Sequence, residues 1–137
     1  MKSELDVLNQ LQSFLEKNLD VPVLLDYPMP DNMPQSTVVY IEPEEAEYEA
    51  LTMYSDVAIL HATIYILAKK DKSEELLKRV FKYSEQIFTL IRENQTLDGF
   101  LDFAVVNTLT YYPEVEVNKS IKAIEISLDL QWTKDWL

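Results

Sequence analysis

The chain has 137 residues, 24 acidic against 12 basic side chains and a net charge of −12, with one histidine, one glycine and no cysteine. That length supports one domain hiding roughly 70% of its unfolded surface, so a core is possible without staples. Disulfides and thiolate metal sites are excluded, glycine-rich phosphate loops lack their glycines, and the acid excess disfavours nucleic-acid backbones and anionic membranes.

The charge is uneven: residues 1–56 carry −10 and residues 57–137 carry −2. The opening Met1-Lys2-Ser3-Glu4-Leu5-Asp6 lacks the apolar segment of a secretion signal, and the longest apolar runs are too short to span a bilayer. A cytosolic or assembled-particle location is expected. No repeat, linker or low-complexity tract divides the chain, so one domain over 1–137 is expected.

Ser3, with Asp6 three residues on, reads as a capped helix start. Leu8, Leu11, Leu15 and Leu19, widened by Leu5, Val7 and Phe14, then form an apolar stripe to about Asn18. Pro22 ends this helix, and Val21 to Leu25 reads as a brief strand. Asp26 to Pro34 is a proline-rich loop. Thr37 to Ile41 is β-branched and aromatic, a strand that Pro43 is expected to stop. Glu42 to Glu49 holds five glutamates, and Pro43 to Ser55 reads as a long connection.

Asp56 to Ala68 is the organising strand. Its even positions Ala58, Leu60, Ala62, Ile64, Ile66 and Ala68 are all apolar, and its odd positions Val57, Ile59, His61, Thr63, Tyr65 and Leu67 are mixed. Such a strand wants cover on both faces, from this chain or another. Lys69, Lys70 and Lys72 make a charged turn, ordinary protection of a strand end. Ser73 caps a second helix of about twenty residues, with Leu77, Val80, Phe81, Ser84, Ile87, Phe88 and Ile91 on its apolar stripe.

Asp98-Gly99 breaks the chain. Phe100 to Tyr112 then reads as a strand with Phe103, Val105, Leu109 and Tyr111 on one side, closed by Pro113. After a turn over Glu114 to Ser120, Ile124, Ile126, Leu128, Leu130 and Trp132 alternate with Glu125, Ser127, Asp129 and Gln131 as the clearest half-buried strand. The order predicts an α+β fold: a mostly antiparallel sheet of four to five strands with two main helices on one face.

Chemistry is sparse. His61 is the sole base working near neutral pH, and it sits mid-strand without Ser or Asp beside it in sequence. Asp98 with Asp102, and Glu114 with Glu116, read as solvated turns rather than paired catalytic carboxylates or cation ligands. Tyr111, Tyr112, Trp132 and Trp136 are candidates for a binding face. Of these, Trp132 shares the parity of Leu128 and Leu130 and reads as core, while Trp136, at the chain end, is the best candidate for contact with another subunit. No catalytic, cofactor-binding or metal residue is assigned, and no cofactor is expected.

The passage Tyr112-Pro113-Glu114-Val115-Glu116-Val117-Asn118-Lys119-Ser120-Ile121-Lys122-Ala123-Ile124-Glu125-Ile126, continuing to Leu130-Gln131-Trp132, resembles the closing segment of prophage tail components. The element order resembles the small tail-terminator, or tail-completion, proteins of long-tailed bacteriophages and prophages. That resemblance implies a structural, non-enzymatic protein of the virion tail, assembled in the host bacterial cytoplasm. Its partners would be copies of itself in a ring, commonly a hexamer, the tail-tube protein, and a head-completion or connector protein. The ring would sit at the head-proximal end of the tube, stop polymerisation and support head joining. Another connector or minor tail component, and a small-ligand-binding or hydrolytic domain using His61, are the alternatives.

Overall fold

The computed structural model describes residues 2–25, 37–69, 73–112 and 121–136. The elements in order are α1 (Glu4–Asn18), β1 (Val23–Leu24), β2 (Thr37–Thr52), β3 (Ser55–Lys69), α2 (Ser73–Glu93), β4 (Phe103–Tyr112) and β5 (Ile121–Asp135). The expected loop over Asp26 to Pro34, the expected turn over Glu114 to Ser120 and, past Lys69, the expected turn over Lys69 to Lys72 lie outside the described residues.

The α1 start is the expected reciprocal cap. The Ser3 hydroxyl accepts the Asp6 N–H at 3.1 Å and the Asp6 carboxylate accepts the Ser3 N–H at 2.9 Å, satisfying two donors that a helix start otherwise leaves open. Val7, Leu8, Leu11, Phe14 and Leu15 are the buried stripe of α1, whereas Leu5 is left 60% exposed.

The five strands run in the order β1-β2-β3-β5-β4, with β1 parallel to β2 and every other pair antiparallel. The α+β fold with a mostly antiparallel sheet is therefore as expected. Ala58, Leu60, Ala62, Ile64, Ile66 and Ala68 of β3 and Ile124, Ile126, Leu128, Leu130 and Trp132 of β5 are all buried, and they share one core with α1 and α2. Both helices thus cover the same face. Among the described residues, the opposite face carries a small buried apolar cluster of Val38, Tyr40 and Leu67, with Thr63 also buried.

Three expectations are corrected. Pro43 does not stop its strand, and Pro43 to Ser55 is no long connection: β2 continues to Thr52 and returns through Met53-Tyr54 into β3. Proline is tolerated because, among the described residues, β1 pairs with Val39 and Tyr40 and nothing pairs with the outer side of Pro43, and the register shifts between Pro43 and Glu45. In β4, a second register shift between Val106 and Thr108 leaves Asn107 out of the ladder and turns the strand over. Phe103 and Val105 therefore face away from the helices, while Leu109 and Tyr111, expected beside them, lie on the helix side.

In α2, Val80, Ser84, Ile87 and Ile91 are buried as expected, but Phe81 is 37% exposed and packs its ring 5.0 Å from that of Tyr111. Tyr83 is buried instead, its hydroxyl donating to Asp20 at 2.8 Å. Beyond α2, Leu97, Asp98 and Gly99 all take positive φ, at 49°, 63° and 83°. Asparagine-like and glycine residues suit that region, whereas Leu97 is held there by complete burial and by its carbonyl accepting from Gln10 at 3.0 Å.

Candidate functional site on the open sheet face

The face without helices is built by the residues that alternate with the core. β2 contributes Glu42, Glu45, Glu47 and Glu49, β3 contributes Val57, Ile59, His61, Thr63 and Tyr65, and β5 contributes Glu125, Ser127, Asp129 and Gln131. The glutamates read in sequence as a connection are thus brought beside the central strand. At one end the face is apolar: Tyr40 and Tyr65 stack at 5.7 Å between centroids, over Val38 and Leu67. Burial, reinforced by Glu125 and Glu42, pushes the Tyr65 hydroxyl far above the ordinary tyrosine range, so it stays protonated.

His61 lies at the centre. Its Nε2 is 3.0 Å from a Glu47 oxygen and its Nδ1 is hydrogen-bonded to Asp129. In the register, His61 stands between Glu45 on β2 and Asp129 on β5, so one imidazole ties three strands together. Thr63, one position further along the face, donates its hydroxyl to Glu44, the residue bulged out of the β2 ladder. The hydrogen bond to Glu47 first, and that to Asp129 second, raise the His61 pKa above its ordinary value despite the opposing effect of burial.

Chemically, this arrangement favours an imidazolium that donates from both nitrogens to two carboxylates. A general base needs one nitrogen free and aimed at a substrate, and His61 has neither spare. Two described concavities do not include His61 itself, although its partner Glu47 lines the second. One of about 310 Å³ runs between α2 and β4, lined by Phe88, Ile91, Arg92, Gln95, Ala104, Val105 and Val106. Another, of about 410 Å³, lies by the hairpin at Glu47, Tyr48, Glu49, Val57 and Ile59, and neither includes His61. The observation that would favour a hydrolytic reading, a concave pocket around His61, is therefore not met in these two, although its carboxylates are within reach.

The other candidates disperse. Asp102 accepts the Thr133 hydroxyl at 3.2 Å, and Asp98 is exposed in the left-handed turn. Glu114, Glu116, Lys70 and Lys72 lie outside the described residues, as do the side chains of Lys69 and Tyr112. Among the described residues, no group of three or more His, Cys, Asp or Glu is arranged to hold a metal ion. Trp132 is 1% exposed, its indole N–H donating to the Lys2 carbonyl at 3.0 Å, as its parity required. Trp136 is 51% exposed and donates to Asp56 at 2.8 Å.

Sequence reasoning missed a second cluster beside Trp136. Lys134 is only 5% exposed and donates to both Glu4 oxygens, at 2.8 and 3.1 Å. Its ammonium sits 5.2 Å from the Tyr48 ring centroid and 4.6 Å from that of Trp136, while the Tyr48 hydroxyl donates to Glu4. Burial opposes ionisation of both partners, but their mutual hydrogen bonding wins: Glu4 falls below, and Lys134 rises above, the ordinary value. This pair fastens the α1 start to the hairpin and the chain end. The even parity of Lys134 with Leu130 and Trp132 was the available signal.

Together these features define a mixed-sheet α+β fold with one helix-covered face and one acidic face that no described helix covers. No protein-family model matches the sequence, and no curated protein does. Among solved structures, the fold is similar to the sheath/tube terminator of an extracellular contractile injection system (PVC), in its extended state. The likeness has a TM-score of 0.60 at 11% identity over 98% of this chain. It spans 58% of that terminator's length.

Proposed function

We propose that this chain is a tail terminator, the part that ends the tube of a phage, prophage or related contractile particle. Subunits assemble as a ring, expected to be a hexamer, at the head-proximal end of the tube, stop its polymerisation and offer a surface for joining the head. The single observation that carries this reading is the match of nearly the whole chain to the fold of a sheath/tube terminator. The surface supports it. A protein that works by contact needs no free base, and His61 is consumed in holding strands together.

The open face fits a passage for DNA. From Glu42 to Glu49 on β2 and from Glu125 to Asp135 on β5, its outward positions include Glu42, Glu45, Glu47, Glu49, Glu125, Asp129 and Asp135 and no lysine or arginine. Such a surface repels phosphates, so DNA slides past without adhering. The test is electron microscopy of tail-tube protein polymerised with and without this chain. Tubes capped at one end and shorter than controls are expected; tubes of unchanged length with bare ends refute the proposal.

A further inference from the structure

The two outer edges of the sheet differ in a way that selects a partner. Beyond Tyr40, no described residue pairs with the outer edge of β2, and this free stretch carries Glu42, Glu44, Glu45, Glu47 and Glu49. At the other side of the sheet, β4 pairs among the described residues with β5 alone, and its sequence, Phe103-Ala104-Val105-Val106-Asn107-Thr108-Leu109-Thr110-Tyr111-Tyr112, holds no charge. Unpaired N–H and C=O groups on an exposed edge are a template for another strand. Proline, a bulge and five glutamates oppose β2 pairing with a second β2, because like charges placed opposite one another repel.

An uncharged edge imposes no such repulsion. It is also long enough, and it has a place for the side chains of an incoming strand: the groove of about 310 Å³ between α2 and β4, with exposed Arg92 on its rim. Topology supplies direction. β3 is antiparallel to β2, β5 to β3, and β4 to β5, so β4 runs antiparallel to β2 of its own chain. A second copy set beside the first, with helices on the same side, therefore presents its β2 to β4 in antiparallel orientation without being turned over.

We infer that copies of this chain join head to tail by pairing the free edge of β2, around Glu45 to Ala50, with the free edge of β4, around Val105 to Tyr111. The proposal rests on the self-assembly part of the reading above and specifies its contact. Because two different surfaces meet, the contact is heterologous, and repeated with a closing rotation it makes a ring. The sheets then form one continuous band whose open acidic faces all lie on the same side.

The test uses the unmodified protein. Light scattering identifies a dilute concentration at which it is monomeric and a higher one at which it is assembled, and amide hydrogen exchange is compared between the two. Assembly is expected to slow exchange at least about tenfold in peptides covering both 45–50 and 105–111, and not in the central β3, which is already paired. Protection of the β4 edge alone means β4 pairs with itself, protection of the β2 edge alone means the reverse, and either overturns the inference. So do protection confined to the helices and a protein that stays monomeric at every concentration. As a second measurement, Thr108→Glu, at an exposed position on the face away from the helices and opposite the uncharged Ser127, is expected to weaken association at least about tenfold with unchanged thermal unfolding. Unchanged association overturns the contact. Tube capping by the wild type, scored in parallel, separates the two ideas: capping without edge protection removes this contact and leaves the terminator reading, whereas edge protection without capping does the opposite.

Discussion

Glu4 and Lys134 form an asymmetric pair, and that asymmetry is measurable. Glu4→Gln removes the charge that compensates an ammonium only 5% exposed, leaving it to two aromatic faces. Removing one partner of a fully buried pair costs about 3–5 kcal/mol. Here the Glu4 side chain is 30% exposed, so solvent already screens the pair and the expected loss is about 2 kcal/mol. Lys134→Met instead leaves a carboxylate that turns to water, and its apolar replacement suits the site, so the loss is about 1 kcal/mol or less. Urea unfolding followed by tryptophan fluorescence reads both. Glu4→Gln lowers the midpoint by about 1 M, and Lys134→Met by half that or less. The double variant resembles Lys134→Met alone, because no buried ammonium remains. If Glu4→Gln proves no more damaging than Lys134→Met, the pair is not held as described. Because Glu4 is depressed below 4.5, its contribution is present above that value and disappears as pH falls through the lower folded value.

His61 is the only histidine, so its ring proton is a single resolved NMR signal, expected to titrate with a midpoint above 6.5. A raised folded value makes its contribution complete below 6.5 and lost as pH rises through that higher midpoint, so the wild type loses stability over this interval while His61→Gln, with Glu45, Glu47 and Asp129 still facing the site, does not; a midpoint at or below 6.5 refutes the imidazolium bridge. Trp132→Ala, emptying a fully enclosed site on β5, is expected to cost about 3–5 kcal/mol in chemical unfolding, and a loss under about 1 kcal/mol contradicts the core assignment. Ser3→Ala is expected to cost about 1 kcal/mol by removing the α1 cap, and no change in helix content or unfolding midpoint contradicts it.

The parts of the fold that were legible in the sequence are those where one period dominates. The alternation from Ile124 to Trp132 and the even positions of β3 announced their buried face directly, and Ser3 with Asp6 announced the α1 start. The β2–β3 hairpin was hidden because Pro43 mimics a strand end and Met53-Tyr54 lacks the Asn-Gly or Asp-Gly pattern that marks a tight turn. Losing that hairpin also hid the site. Glu47 reaches His61 only when β2 runs past Pro43, and Asp129 lies 68 residues away, joined by strand pairing rather than by spacing. The β4 faces were misread for a related reason: one bulged residue, Asn107, reverses the parity of everything after it, and nothing in Val106-Asn107-Thr108 announces it. Lys134 was missed because a lysine in a strand normally faces water, and only its partner Glu4, at the far end of the chain, makes burial tolerable.

The central claim is that this chain ends a tail tube, and adding it to growing tubes tests that most directly. Tube protein is polymerised with increasing amounts of the purified chain, and tube lengths and ends are scored by electron microscopy. The account predicts that mean length falls as the chain is added and that an extra ring of density appears at one end only. Tubes of unchanged length, with the chain absent from their ends or spread along their sides, would contradict it.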